Sequence, residues 1–126
     1  MKMLLSMLLI LVILIGFSLW TESYLDKTAG KMLFSLKNVE ANIIKNDWNT
    51  ATKNIKLLKN TWATNKHKWE ILLDHQEIDM IDMSLSKVVK LVELKETLQV
   101  LPELSELRLL IAHIPDKESL RLSNVL

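Results

Sequence analysis

The stretch Met3-Leu-Leu-Ser-Met-Leu-Leu-Ile-Leu-Val-Ile-Leu-Ile-Gly-Phe-Ser-Leu-Trp20 decides the fold, because it contains no charged residue. As an α-helix rising about 1.5 Å per residue, it would span about 27 Å, close to the hydrocarbon thickness of a bilayer. A helix suits that setting because its backbone groups bond to one another where water is absent. We therefore predict a transmembrane helix over residues 1–21, with a short N-terminus in the cytoplasm.

The residues that flank this stretch bear on its orientation and on its processing. Lys2 precedes it, and Trp20 and Tyr24 are of the types that lie at membrane interfaces. Ser18-Leu19-Trp20 lacks the small residues of a signal-peptidase site. We expect an uncleaved, single-pass anchor in the cell membrane with the remaining domain outside. The lysines that follow the stretch favour the opposite orientation, and a cleaved, secreted helical protein is the alternative.

The composition excludes several kinds of protein. The chain has 126 residues and no cysteine, so a disulfide framework, a thiolate nucleophile and a cysteine-rich zinc site are excluded. Two glycines and two prolines are too few for an all-β domain, which needs frequent turns, and they favour long helices.

The charged residues are unevenly divided along the chain. Residues 21–69 contain nine lysines against four carboxylates, and residues 70–126 contain eleven carboxylates against six bases. Basic helices would then pack beside acidic ones, or the basic half would face anionic headgroups. We predict no nucleic-acid partner, because no basic stripe is interleaved with aromatic residues.

Apolar spacings of three and four residues predict an all-α protein. We expect an antiparallel helical bundle over residues 22–118, followed by an extended tail over 119–126 that packs on it. A turn is predicted near Thr64-Asn65, although a helix continuing through Trp69 is the alternative, and Pro115 is expected to end the last helix. Gly30 would bend the first helix or allow close packing. The predicted helices cover residues 21–46, 48–64, 69–95 and 97–113.

Three tryptophans recur at helical spacing on the apolar face: Trp48, Trp62 and Trp69. The simpler interpretation makes them core aromatics that join two helices. The alternative is an aromatic groove for a ligand or a protein partner.

The densest polar cluster contains His75, Asp79 and Asp82, which share one helical face at i, i+4 and i+7. An imidazole with two carboxylates can bind a divalent metal, although Glu106 or His113 from another helix would have to complete the site. The alternative is that His75 lies at the edge of the core and the acids face water or pair with lysines.

No catalytic motif accompanies this cluster. The sequence has no glycine-rich phosphate loop, no serine-nucleophile motif and no His-x-x-x-His pair. We therefore predict that the protein is not an enzyme and that it carries no cofactor.

A series of short motifs follows the apolar N-terminus. The motifs are Asn46-Asp47-Trp48 with Ala51, Trp62, Trp69, His75-Gln-Glu-Ile-Asp79, Glu103-Leu-x-x-Leu107, His113-Ile-Pro-Asp-Lys-Glu118 and Asn124-Val-Leu126. Their order resembles the domain of unknown function 4363 family, which comprises small membrane proteins of unknown function from spore-forming, Gram-positive bacteria. The resemblance covers nearly the whole chain and implies a single-pass anchor with a helical extracytoplasmic domain, without an activity.

These observations predict a non-catalytic interaction or accessory module at the cell envelope, in contact with the lipid bilayer and with an unknown protein partner. A metal- or small-ligand-binding sensor built on His75, Asp79 and Asp82 is the second hypothesis. The secreted helical protein is the third.

Overall fold

The computed structural model describes residues 1–125, with the side chains of residues 1–115. It contains four helices, α1 (Lys2–Ile44), α2 (Trp48–Leu72), α3 (His75–Glu93) and α4 (Thr97–Val125), and no strand within those residues. The predicted all-α class is therefore confirmed.

The four helices form a closed antiparallel bundle. α1 packs on α2 and α4, and α3 packs on the same two helices, so each helix has two neighbours. The connections are two or three residues long, and such short loops place consecutive helices antiparallel. The core lies between the four helices and contains one aliphatic stripe from each, which includes Met32, Leu58, Ile81 and Leu107.

α1 is one continuous helix with two different environments. Residues 1–20 contain no buried position, and burial begins at Leu25. From there the buried residues recur at the helical period: Leu25, Thr28, Ala29, Met32, Leu36, Val39 and Ile43. Gly30 is exposed, and a Cβ added to it would have no atom within 4 Å, so it does not serve close packing.

Residues in or beside the loops define the helix ends. Asn46 and Lys95, with φ values of 61° and 56°, adopt the left-handed conformation that reverses the chain after α1 and α3. The Asp47 side chain accepts a hydrogen bond from the Thr50 backbone N–H and thereby caps the N-terminus of α2.

The turn predicted near Thr64-Asn65 is wrong, and the continuous helix is correct. Thr64 donates its hydroxyl to the Asn60 carbonyl, and the Asn65 amide donates to the Thr61 carbonyl, so both polar side chains bond within the helix. The break falls at 73–74 instead, and Trp69 belongs to α2 rather than to the start of α3.

The extended tail predicted after Pro115 is also wrong for residues 119–125, because α4 runs to Val125 and contains Pro102 and Pro115. A proline inside a helix removes one backbone hydrogen bond but does not by itself end the helix. The residues after it include Lys117, Glu118, Leu120 and Arg121, which are good helix formers. Leu126 and the packing of the tail's side chains lie outside the described residues.

Candidate functional site

The apolar segment of α1 is the most distinctive surface of the molecule. Within residues 1–125, α1 is the one helix that is long and apolar enough to cross a membrane. None of the eighteen residues in its most apolar window is buried against the rest of the protein. A membrane-spanning helix near the N-terminus therefore fits both the length and the exposure of this segment.

An aromatic row marks the end of the apolar segment. The ring centroids of Phe17 and Trp20 are 6.0 Å apart, and Trp20 stacks on Tyr24 at 5.6 Å. The Tyr24 hydroxyl donates to the Asn65 side-chain oxygen at 2.7 Å, and the Lys68 ammonium lies 5.4 Å from the Tyr24 ring centroid. The row thus connects the exposed segment of α1 to the last turns of α2.

The tryptophans lie mainly in the core. Trp69 is fully buried and Trp62 is 4% exposed, and their rings meet edge to face at 5.4 Å. The Trp69 indole donates to the Thr28 hydroxyl at 3.2 Å, which links α2 to α1. Trp48 is partly buried and donates to the Asn46 side chain at 2.8 Å. Trp62 and Trp69 therefore occupy the places of core aromatics, and Trp62 also lines a groove of about 390 Å³ between α2 and α3.

Asp82 has partners on α2. Its carboxylate accepts a hydrogen bond from the Trp62 indole at 2.6 Å and pairs with the Lys66 ammonium at 2.6 Å. The hydrogen bond to Asp82 raises the pKa of Lys66 above its usual value. This contact joins a basic helix to an acidic one, as the uneven distribution of charge suggests.

The other members of the predicted metal site lie apart from those contacts. His75 and Asp79 are exposed, and no group of three or more His, Cys, Asp or Glu that could hold a metal ion occurs in the part of the chain that the structure describes. The metal-binding hypothesis stays a prediction, and an increase in Tm on adding zinc or manganese would support it.

Two grooves flank α4 in the part whose side chains the structure describes, residues 97–115. The α3–α4 groove, of about 580 Å³, is lined by Met80, Leu109 and Leu110 together with Asp74, Glu77, Glu106, His113 and three other residues. Glu106 and His113, the predicted additional metal ligands, thus lie beside Asp74 and Glu77 rather than beside Asp82.

The α1–α4 groove, of about 610 Å³, carries large exposed apolar side chains. Phe34 and Ile44 are 66% and 67% exposed, and Arg108 pairs with Glu40 across the groove at 3.5 Å. Leu109, on the neighbouring α3–α4 groove, is 68% exposed. The sequence analysis did not identify Phe34. This residue lies between Met32 and Leu36 but does not follow the helical spacing of the buried residues, which indicates an apolar side chain on the outer face of α1.

A family model described as a domain of unknown function (DUF4363) matches residues 19–125. No curated protein and no solved structure matches the chain.

Proposed function

This chain belongs to the DUF4363 family, and on that premise we propose that it is a membrane-anchored, non-catalytic interaction module at the cell envelope. In this proposal the apolar half of α1 crosses the cell membrane once, with Lys2 on the cytoplasmic side. The helical bundle lies outside the membrane and contacts a protein partner.

The observation that carries the proposal is the continuity of α1. An unbroken helix runs from an apolar segment that no protein covers into the core of the bundle. Exposing so many large apolar side chains to water is unfavourable, and a bilayer removes them from water at about 25 cal/mol per Å². The rigid connection then holds the bundle at the membrane surface.

The interaction role is supported by the outer face of the bundle. Phe34 and Ile44 are apolar, more than half exposed, and aligned along the α1–α4 groove. Exposed apolar residues that line one groove mark protein-binding surfaces more often than isolated ones do. The sequence offers no catalytic motif to suggest a chemical role for the same surface.

Membrane attachment is tested first, on the full chain. We expect the protein to stay with the membrane fraction after extraction with alkaline carbonate, and mass spectrometry to find the N-terminal segment intact. Release into the supernatant, or a mature chain that begins after the apolar segment, would refute the anchor.

The partner surface is tested by crosslinking in intact cells. A photoreactive amino acid at position 34 should give a discrete higher-mass adduct, which mass spectrometry would identify as another protein. The matched control is position 57 on α2, because Leu57 is similarly exposed, at 58%, and lines neither groove flanking α4. Equal adducts at both positions, or none at position 34, would count against this surface.

A further inference from the structure

We propose that the C-terminal turn of α2, with Ile71 at its outer face, lies in the headgroup layer of the membrane. This inference rests on the proposed anchor. It adds a second membrane contact, made by a helix that does not cross the bilayer.

The first step is the height of α2 above the membrane. Thr28 follows Trp20 by eight residues, which places it about 12 Å further along the α1 axis. The Trp69 indole donates to the Thr28 hydroxyl, so this turn of α2 lies at the level of Thr28. Because α2 runs back towards the membrane, Ile71 lies about 3 Å lower, at about 9 Å above Trp20.

The second step compares that height with the bilayer. A headgroup layer is about 5–8 Å thick on each side, and tryptophans such as Trp20 lie at its level. Membrane helices tilt by about 20° on average, and packed helices lie about 8–10 Å apart. Tilting α1 towards α2 by that angle lowers Ile71 by about 3 Å, to about 6 Å, which is within the headgroup layer.

The third step is the chemistry of the turn. Ile71 is 82% exposed, although an isoleucine gains free energy by leaving water. On the same turn, the Lys68 ammonium extends to the ring of Tyr24, which in turn stacks on Trp20. Lysine with aromatic neighbours is the combination typical of a membrane interface, where the ammonium can reach lipid phosphates.

The lipid contact should be mainly apolar. Lys68 and Asp74, each three residues from Ile71, carry opposite charges. Because attraction of the one by anionic lipid is offset by repulsion of the other, the insertion depth is expected to be the same in zwitterionic vesicles and in vesicles that contain an anionic lipid.

Site-directed spin labelling tests the proposal, because the chain has no native cysteine. Labels are placed by I71C, with H67C as a second position on the same end of α2, in full chain reconstituted in phosphatidylcholine vesicles. The matched control is L98C, since Leu98 is 89% exposed but belongs to the first turn of α4, at the opposite end of the bundle. I10C, in the middle of the apolar segment, reports the anchor itself.

We expect collisions with apolar oxygen to increase and collisions with a water-soluble nickel complex to decrease at position 71 on reconstitution, with no such shift at position 98. A label in lipid at position 10 but in water at position 71 would overturn this inference and leave the anchor intact. A label in water at position 10 would overturn both. Protection at position 71 that disappears on diluting the protein in lipid would overturn the lipid contact and assign the surface to a second copy of the chain.

Discussion

At the residue scale, Thr28 and Trp69 form a buried polar contact between α1 and α2. The Trp69 indole donates to the Thr28 hydroxyl, which itself donates to the Tyr24 carbonyl at 2.8 Å. Both residues are buried, so water cannot replace either partner. Removing either partner should therefore lower the free energy of unfolding by more than the loss of a surface hydrogen bond would.

Replacing Thr28 by valine should lower the free energy of unfolding by about 1–3 kcal/mol, because the buried indole N–H loses its acceptor while the shape of the side chain is kept. The measurement is denaturant unfolding of the full chain in a mild detergent, followed by tryptophan fluorescence. Thr28→Ser keeps the hydroxyl and is the control. A valine variant as stable as the wild type would contradict a contribution from the hydrogen bond, and a loss confined to Thr28→Ser would assign the stabilisation to packing of the methyl group.

Replacing Gly30 by alanine should raise the free energy of unfolding by about 0.5–1 kcal/mol, because alanine has the higher helix propensity. The position is exposed, and no atom lies within 4 Å of the added Cβ, so no steric cost offsets the gain. Thermal unfolding followed by circular dichroism measures the change. A lower Tm would mean that another molecule packs against this face of α1.

The N-cap Asp47 should make stability depend on pH in the acidic range. The Thr50 side chain and backbone N–H hold the pKa of Asp47 below its usual 3.8. A lowered pKa in the folded state stabilises the protein above the usual value, and that stability is lost as the pH falls through the folded-state pKa.

Asp47→Asn keeps the capping oxygen but removes this titration, and Asp47→Ala removes both. We therefore expect the alanine variant to be less stable than the asparagine variant at neutral pH. The difference between wild type and the asparagine variant should shrink as the pH is lowered below 3.8. Unfolding curves collected across that range test the order, and an unchanged difference would contradict a contribution from the charge of Asp47.

At the element scale, Lys66 connects α2 to α3 through Asp82. Hydrogen bonding to Asp82 raises the pKa of Lys66 above its usual 10.5. A raised pKa contributes stability that is present below the usual value and lost as the pH rises through the folded-state pKa. The Lys66 pair therefore operates throughout the neutral range.

The Lys66 contact predicts weaker docking of α2 on α3 at alkaline pH. Lys66→Met keeps the length of the side chain without the charge, so its stability relative to wild type should be lowest below the usual pKa of lysine. The difference should decrease as the pH rises above 10.5. Denaturation at a series of pH values measures it. A constant difference would indicate that the methylene chain, rather than the ammonium group, makes the contact.

α4 contains two prolines, and the second of them lies far from the first turn of the helix. Pro115 lies inside the helix, where it removes the hydrogen bond to the Ile111 carbonyl. Pro115→Ala should restore that bond and stabilise the helix by up to about 3 kcal/mol. The readouts are the helical signal at 222 nm and the Tm. No gain in either would contradict an unbroken α4 beyond residue 115.

At the scale of the whole molecule, the proposed orientation can be tested because the chain has no native cysteine. With the bundle outside the membrane, L98C should react with a membrane-impermeant maleimide in intact cells. K2C, on the other side of the apolar segment, should react only after permeabilisation. The reverse pattern would place the bundle in the cytoplasm.

The uneven distribution of charge is reflected in one contact between helices, where the basic α2 meets the acidic α3 through Lys66 and Asp82. The pair between α1 and α4 has the opposite polarity, because Glu40 belongs to the basic half of the chain and Arg108 to the acidic half. Both pairs are partly exposed, so each contributes little to stability. Each pair joins two helices that are neighbours in the closed bundle.

The sequence by itself determined the helical class, the apolar segment and most of the buried face. These features depend on local periodicity, as in the run from Leu25 to Ile43, and periodicity is visible in one chain. The N-cap at Asp47 is equally local, since its partner Thr50 is three residues away.

Only the tertiary structure decided where α2 ends, how far α4 extends and which polar residues meet. Thr64 and Asn65 have weak helix propensity, but burial of Trp62 and Trp69 on one face keeps their segment helical. The partners of Asp82 come from another helix, and the grooves flanking α4 exist only once α4 packs between α1 and α3. Contacts between residues distant in sequence depend on how the helices pack, which local periodicity does not contain.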